Sequence, residues 1–263
     1  MSTTLKPRVD ETVGEHSFSS EEWKIRCELA ALYRLVAHFR MTDIIYTHIS
    51  ARLPGDDELF LINRYGVLFD EMRATNLVRI DLDGNIIESN PSANPVNKAG
   101  FTIHSAIHQA RPDAKYVIHT HTQAGIAIAA QEEGLLPISQ HALRFHGMLS
   151  YHDYEGIATD LEERERLAAD LGNNPAMILR NHGVLVVGET AAEAFSHLYY
   201  LERACQIQIA AQSGGARLRY PAEATMQKTA DQWKSRFKDE AYLTRFWDAC
   251  LKLIDTGDVS YRS

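Results

Sequence analysis

Residues 115–122 read KYVIHTHT, an apolar stretch that contains two histidines, His119 and His121. The β-branched and aromatic residues in it predict a buried strand. Alternate residues of a strand point to the same face of the sheet, so both imidazoles would lie on one side. Two neighbouring imidazoles on one face can serve as two ligands of a single metal ion.

A second apolar stretch, AMILRNHGVLVVG at residues 176–188, is interrupted by the polar triplet Asn181, His182 and Gly183. A buried polar side chain costs free energy unless it is used, which makes His182 the best candidate for a third ligand. Three imidazoles with an open fourth position are typical of a catalytic metal site. Imidazole binds zinc, iron, cobalt, nickel and manganese, so the ligand type alone does not choose the metal.

On the residues alone, other interpretations of these histidines stay open. An isolated HxH pattern also fits two hydrogen-bonded core histidines. His104 and His108, four residues apart on a predicted helix, form a rival pair of metal ligands. They lack the accompanying carboxylate of an HExxH motif, and one of them would instead support an imidazole that binds the metal.

The composition predicts a cytoplasmic globular protein. Its 263 residues suffice for one large α/β domain, and the net charge of −8 argues against nucleic acid or an anionic membrane as the main partner. Three widely spaced cysteines, Cys27, Cys205 and Cys250, show no disulfide framework. The polar N-terminal segment lacks the apolar core of a signal peptide, and no apolar run is long enough to span a bilayer.

Apolar periodicity and turn signals predict a mixed α/β chain in three parts. We expect a flexible arm at residues 1–18, one main domain at 19–215 and a helical C-terminal extension at 216–263. Strands are predicted within residues 46–53, 58–65, 77–87, 115–122, 148–151 and 176–188. Helices are predicted from Ser19 or Ser20 onwards and at residues 96–110, 123–133, 157–171, 190–212 and 228–255.

Five longer runs cover most of the chain between about residues 22 and 215: RCELAALYRLVAHFRMTDIIYTHISARL, GFTIHSAIHQARPDAKYVIHTHT, LLPIS, YHDYEGI and ILRNHGVLVVGET. In combination they resemble the class II aldolase/adducin family, especially the adducin head domain and its bacterial relatives. The resemblance implies a three-layer α/β/α fold with a central, mainly antiparallel sheet. It also implies a homotetramer with active sites near subunit interfaces. It assigns a divalent metal ion to His119, His121 and His182, with zinc favoured over iron or manganese.

Two positions depart from the pattern of the sugar-phosphate aldolases that the chain resembles. Those enzymes carry a Ser-Ser-Glu run whose Glu is the acid/base, and the corresponding residues here are Lys98, Ala99 and Gly100. Their Gly-Asn phosphate turn reads Thr47-His48 here, and these residues favour a close backbone approach less than glycine does. Both departures argue against a standard phosphosugar aldolase.

Four residues outside the metal set are candidates for binding and catalysis. Lys98 offers a cation for a substrate carboxylate, and His48 is a second candidate substrate-binding residue. In related aldolases a tyrosine of the neighbouring subunit donates a proton; Tyr151 roughly matches its place, and His152 follows it. A solvated helix start for Lys98 and a core role for Tyr151 are the competing interpretations.

Three functions remain open on this basis. The first, which we favour, is a metal-dependent carbon–carbon lyase that acts on a small hydroxy- or oxo-acid. The second is a non-haem iron oxygenase of aromatic oxo-acids, a chemistry found in family members from aminocoumarin biosynthesis. The third is a non-catalytic assembly module like the adducin head, for which the sequence lacks the basic, Lys-rich tail.

Overall fold

One mixed sheet with helices on both of its faces forms the body of the protein. The computed structural model describes residues 18–55, 58–87, 96–156, 162–255 and 259–263, without the side chains of residues 98 and 99. The helices are α1 Ser20–His38, α2 Lys98–Ala110, α3 Gln123–Ala129, α4 Glu163–Leu171, α5 Ala191–Gln212, α6 Glu223–Phe237 and α7 Glu240–Ile254. The strands are β1 His48–Arg52, β2 Leu59–Asn63, β3 Leu77–Asp81, β4 Tyr116–Thr120, β5 Leu149–His152, β6 Ala176–Leu179 and β7 Gly183–Gly188.

The order of the strands in the sheet is β3-β2-β1-β4-β7-β6-β5. Neighbouring strands run antiparallel except β5 and β6, which are parallel, so the expected mainly antiparallel sheet is confirmed. In the central strands His48 lies opposite His119, and Thr120 lies opposite Val184. This register brings the end of β4, which His121 follows, beside the start of β7, which His182 precedes.

Alternate residues of the central strands contribute to two hydrophobic layers. Ile49 of β1 and Ile118 of β4 are fully buried in the core that includes α1 and α5. On the opposite face, Val117 of β4 packs with Ile107 of α2 and Leu167 of α4. Because each face is covered by helices, the predicted three-layer α/β/α arrangement is confirmed.

The ends of the chain lie partly outside the described residues. The predicted arm falls almost wholly within residues 1–17, so the division into arm, domain and extension stays a prediction. The last helical region begins at Glu223, earlier than the predicted 228, and is broken where Asp239 caps α7 by accepting a hydrogen bond from Tyr242. Among the described helices, none combines the length and apolar character needed to cross a bilayer.

A buried arginine joins α6 to the body of the protein. Arg144 is 1% exposed, and its guanidinium lies 3.8 Å from the centre of the Tyr200 ring and 4.1 Å from that of Trp233. Its Nη2 donates a hydrogen bond of 3.0 Å to the hydroxyl of Ser196 on α5. Desolvated cation–π contacts contribute about 2 kcal/mol, so this cluster fixes α6 against α5.

The buried imidazole of His197 is expected to make stability depend on pH. Its Nδ1 donates to the carbonyl of Val187 at 3.0 Å, and burial lowers its pKa from 6.5 to about 4. Because the folded-state pKa lies below the unfolded one, this contribution is fully present above pH 6.5 and is lost as the pH falls towards 4. His197→Gln keeps an N–H donor but does not titrate. Over this pH range the variant should lose less free energy of unfolding than the wild type, by on the order of 3 kcal/mol. Denaturant titrations measure the difference. Parallel pH profiles for the two proteins would contradict this prediction.

Candidate metal centre

Three histidine side chains converge where the ends of β4 and β7 meet. The Nε2 atom of His121 lies 2.9 Å from Nε2 of His119 and 2.9 Å from Nε2 of His182. His119 is 2% exposed, while the other two rings are partly accessible from the surface. The structure therefore brings together the three residues that the sequence selected as candidate ligands, in an arrangement that can hold a metal ion.

The tight turn between β6 and β7 presents His182 to the other two histidines. Asn181 adopts a left-handed backbone conformation with φ of 54°, which reverses the chain between the strands. A side chain at Gly183 would collide with the carbonyl oxygen of Thr120 on β4. Glycine is therefore required for the close approach of β7 to β4, and that approach places His182 beside His121.

Hydrogen bonds from the opposite ring nitrogens fix two of the three tautomers. Nδ1 of His119 lies 3.0 Å from the carbonyl oxygen of Val184, and Nδ1 of His121 lies 3.0 Å from Oδ2 of Asp43. Both oxygens accept, so each Nδ1 carries the hydrogen. A ring whose single hydrogen is on Nδ1 has a bare acceptor at Nε2, and the Nε2 atoms of His119 and His121 face each other.

The protonation of the cluster suits a cation. Burial, followed by the neighbouring imidazoles of His182 and His121, holds the pKa of His119 well below its usual range. Burial and then His121 lower the pKa of His182 to about 4. Neutral rings whose lone pairs converge repel each other unless a shared cation lies between them, and neutral imidazole is the form that binds metals. The donor set therefore fits a divalent metal ion.

Asp43 completes the support of His121 from a loop that precedes β1. The loop contains two non-glycine residues with left-handed backbone conformations, Ile44 at φ 52° and Thr47 at φ 67°. Such conformations persist only where the surrounding structure imposes them. A carboxylate on the far nitrogen of a ligand histidine orients the ring and raises its basicity, so Asp43 is a positioning residue for the centre.

Replacing Asp43 by asparagine is expected to weaken metal binding by about 10–100-fold while leaving the fold intact. The amide keeps the size of the side chain but removes the negative charge that strengthens the hydrogen bond from Nδ1 of His121. Competition with a chelating dye would measure the change, and Asp70→Asn, at an exposed carboxylate, provides the matched control. Equal affinities for the Asp43 variant and the wild type would remove Asp43 from the site.

His48 lies on the same face of the sheet as His119, its partner across β1 and β4. It is 4% exposed, and its ring fills the space above Gly100 at the start of α2. A Cβ atom at Gly100 would lie 2.5 Å from Cγ of His48, so the two positions cannot both carry an ordinary side chain without a shift. The ring of His48 therefore occupies the space that a side chain at position 100 would take.

The other candidate residues have local partners in this chain. The Tyr151 hydroxyl accepts a hydrogen bond of 3.0 Å from the amide of Leu135. Nδ1 of His152 lies 2.7 Å from Asp170 Oδ2, and its Nε2 lies 3.5 Å from Glu163 Oε1. These contacts link β5 to its surroundings, so the catalytic roles assigned to Tyr151 and His152 stay predictions. The side chain of Lys98 lies outside the described residues.

Two residues at the centre were not selected from the sequence as site residues. Asp43 is 78 positions away from His121, and no motif connects them before the fold is known. Tyr154, whose neighbours Tyr151 and His152 were selected, places its ring 6.3 Å from that of His182 and is 53% exposed. Its position just beyond β5 was the available signal.

Fold and site together define a three-layer α/β protein with a three-histidine centre, and comparison with known proteins agrees. Residues 27–209 match the family model described as Class II Aldolase and Adducin N-terminal domain. A solved structure, an aldolase II superfamily protein from Pseudomonas syringae, is 50% identical and superimposes with a TM-score of 0.88 over 94% of this chain and 98% of its own. The chain belongs to the class II aldolase/adducin family.

Two further relatives mark the breadth of that family. A Caulobacter vibrioides protein, named provisionally as a class 2 aldolase, is 48% identical over 92% of this chain and 93% of its own length. Rat α-adducin is 43% identical over 80% of this chain, but the match covers only 29% of α-adducin. The family therefore includes relatives named as enzymes and relatives named as adducins.

Proposed function

We propose that this protein is a divalent-metal-dependent carbon–carbon lyase, of the aldolase or decarboxylase type, that acts on a small hydroxy- or oxo-acid. The observation that carries the proposal is the convergence of the Nε2 atoms of His119, His121 and His182. Membership of the class II aldolase superfamily supports the lyase class. We favour zinc as the ion, with iron or manganese as alternatives, and a cytoplasmic homotetramer as the working form.

The three histidines would hold the ion, and the bound ion would supply a Lewis acid that polarises a substrate oxygen. The residues of the chain prepare that site before any ligand arrives. Val184 and Asp43 fix the tautomers of His119 and His121, so no reorganisation of these rings is needed on binding. This preorganisation favours interactions with charge that develops on the substrate during bond cleavage.

The chain also differs from phosphosugar aldolases in ways that guide the substrate. Gly100 offers no carboxylate, and the ring of His48 fills the space beside it. We assign His48 and Lys98 to substrate binding, with Lys98 as the partner of a carboxylate. We assign proton transfer to Tyr151 and His152, with Tyr151 acting from a neighbouring subunit as the family resemblance implies.

A second candidate function is a non-catalytic assembly module. The 43% identity to rat α-adducin favours it, since that relative carries the same kind of domain within a much longer chain. In this case the histidine cluster would be present but would catalyse no reaction. The protein would act only by forming oligomers and by binding other proteins.

Metal content followed by substrate assays separates these functions. We expect the protein, purified without chelators, to retain about one ion per chain and, with zinc or manganese, to cleave members of a panel of hydroxy- and oxo-acids. Iron together with oxygen consumption would instead indicate the oxygenase. A metal-free protein that cannot be reconstituted would exclude both enzymes and leave the assembly module.

A further inference from the structure

A chain of buried hydrogen bonds runs behind the metal centre, between β1 and α2. Nδ1 of His108 lies 3.1 Å from the carbonyl oxygen of Ala114. The hydroxyl of Ser50 lies 2.7 Å from Nε2 of His108 and 2.6 Å from Nδ1 of His104. Ser50 and His104 are fully buried and His108 is 1% exposed, so the chain has no contact with bulk water.

The imidazole rings of His104 and His108 in this hydrogen-bond chain are neutral. Burial, and after it the charge of Arg52, lowers the pKa of His108 to about 3. Burial also holds the pKa of His104 well below its usual range, with His48 and His108 as further causes. Each ring therefore carries one hydrogen, on either Nδ1 or Nε2.

The neutral rings and the carbonyl of Ala114 together determine which atom carries the hydrogen in each hydrogen bond of this chain. The Ala114 carbonyl can only accept, so Nδ1 of His108 carries the hydrogen and its Nε2 is bare. The Ser50 hydroxyl must then donate to His108, which leaves its oxygen to accept from Nδ1 of His104. Nε2 of His104 is consequently a bare acceptor, and it is buried without a hydrogen-bond partner in the part of the chain that the structure describes.

His48, which lies near His104, also has ring nitrogens that need hydrogen-bond partners. Both of its ring nitrogens are buried and have no hydrogen-bond partner among the described residues. An imidazole with one hydrogen donates from one nitrogen and accepts at the other. The rings of His48 and His104 are 6.0 Å apart, edge to face, and share no direct hydrogen bond. Two rings with centres at this separation are near neighbours, and one oxygen atom between them could form a hydrogen bond with each.

We propose that one O–H group binds between His48 and His104, where it accepts a hydrogen bond from His48 and donates one to Nε2 of His104. An unpartnered buried nitrogen on each of two neighbouring rings is costly unless such a group satisfies both. A carbonyl or carboxylate oxygen cannot replace it, because neither donates to His104. The occupant is either an ordered water molecule or a hydroxyl of the substrate.

The location of this subsite bears on the class of substrate that the protein binds. His48 and His119 are partners across β1 and β4, so the subsite lies on the same face of the sheet as the metal centre. If the substrate supplies the group, a hydroxy-acid is favoured over the matching oxo-acid. This choice of substrate rests on the proposed function, whereas the O–H site itself does not.

Crystal structures and ligand titrations test the proposal and identify the occupant. Structures of the metal-free protein should show an oxygen atom between the two rings. Lactate and pyruvate, a hydroxy-acid and an oxo-acid of equal size, would be titrated into the Co²⁺-loaded protein, with the visible absorption of the bound ion as the readout. Binding is thereby measured without any turnover.

Ser50→Ala tests the role of the hydrogen-bond chain, because it frees His104 to adopt the other tautomer. A water molecule can reverse its orientation in this variant and remain, but the preference for a hydroxyl over a carbonyl group should be lost, because Nε2 of His104 can then donate. Ser105→Ala is the matched control, since Ser105 is also buried on α2 but bonds only to the carbonyl of Thr102 in the described contacts. The control should keep the oxygen and the ligand preference of the wild type.

Two outcomes support the site and distinguish its occupants. Lactate that displaces the oxygen and binds at least about tenfold tighter than pyruvate, with the preference lost in Ser50→Ala, identifies a substrate hydroxyl. An oxygen that remains with both ligands, and equal affinities, identify water. Absence of the oxygen from the metal-free wild type would overturn the proposal. If Co²⁺ does not bind, the proposed function fails, while the metal-free structure still decides the O–H site.

Discussion

The double variant His119→Ala/His182→Ala is expected to bind no metal and to gain no stability from added Zn²⁺ or Mn²⁺. An ion that binds only the folded state at 100 times its Kd stabilises the wild type by about 2.7 kcal/mol. Removing two of three imidazoles leaves only His121, which cannot hold the ion alone. Thermal unfolding with and without the ion measures the effect.

The matched control for this experiment is His146→Ala. His146 is partly exposed, and its ring pairs with Glu223 at 3.0 Å. It does not belong to the three-histidine cluster. It should retain the full metal-dependent shift of the wild type. If the double variant were stabilised as much as this control, the ion would be bound elsewhere and the assigned centre would be wrong.

Gly100→Ala is expected to destabilise the protein by about 1–3 kcal/mol, although alanine is normally the better helix residue. Within a helix the exchange of Gly for Ala favours the folded state by about 1 kcal/mol. Here the added Cβ would lie 2.5 Å from Cγ of His48, whose ring is enclosed between β1 and α2. Overpacking of a closed core outweighs the gain in helix propensity.

A double-mutant cycle with His48→Ala isolates this contact. Removing the ring makes room at position 100, so the two changes together should be less destabilising than their sum by more than about 1 kcal/mol. Gly214→Ala serves as the control, because a Cβ there meets open space. Additive effects in denaturant titrations would mean that His48 does not occupy the space of a side chain at position 100.

The strand that carries His119 was predictable because its signal is local. Residues 115–122 combine an apolar run with histidines at the strand period, and the apolar stretch around His182 is interrupted at one place only. The layers and the mainly antiparallel sheet followed from the family resemblance. The pairing of β4 with β7, which makes the three histidines neighbours, is a property of the assembled sheet.

The remaining parts of the site depend on contacts between distant segments. The role of Asp43 requires a loop with backbone conformations that its own residues do not favour. The exclusion between His48 and Gly100 exists only because α2 packs on β1. The tautomer of His104 is decided by the carbonyl of Ala114 through two intermediate hydrogen bonds. No periodicity or spacing in the sequence reports such relations.

An anomalous difference map from crystals of the protein purified without chelators tests the central claim most directly. Data would be collected at the absorption edge of the element found by X-ray fluorescence. We predict one peak per chain, bounded by the Nε2 atoms of His119, His121 and His182. A map without a peak there, although the protein had been supplied with Zn²⁺, Mn²⁺ and Fe²⁺ in turn, would contradict a metal centre at these three histidines.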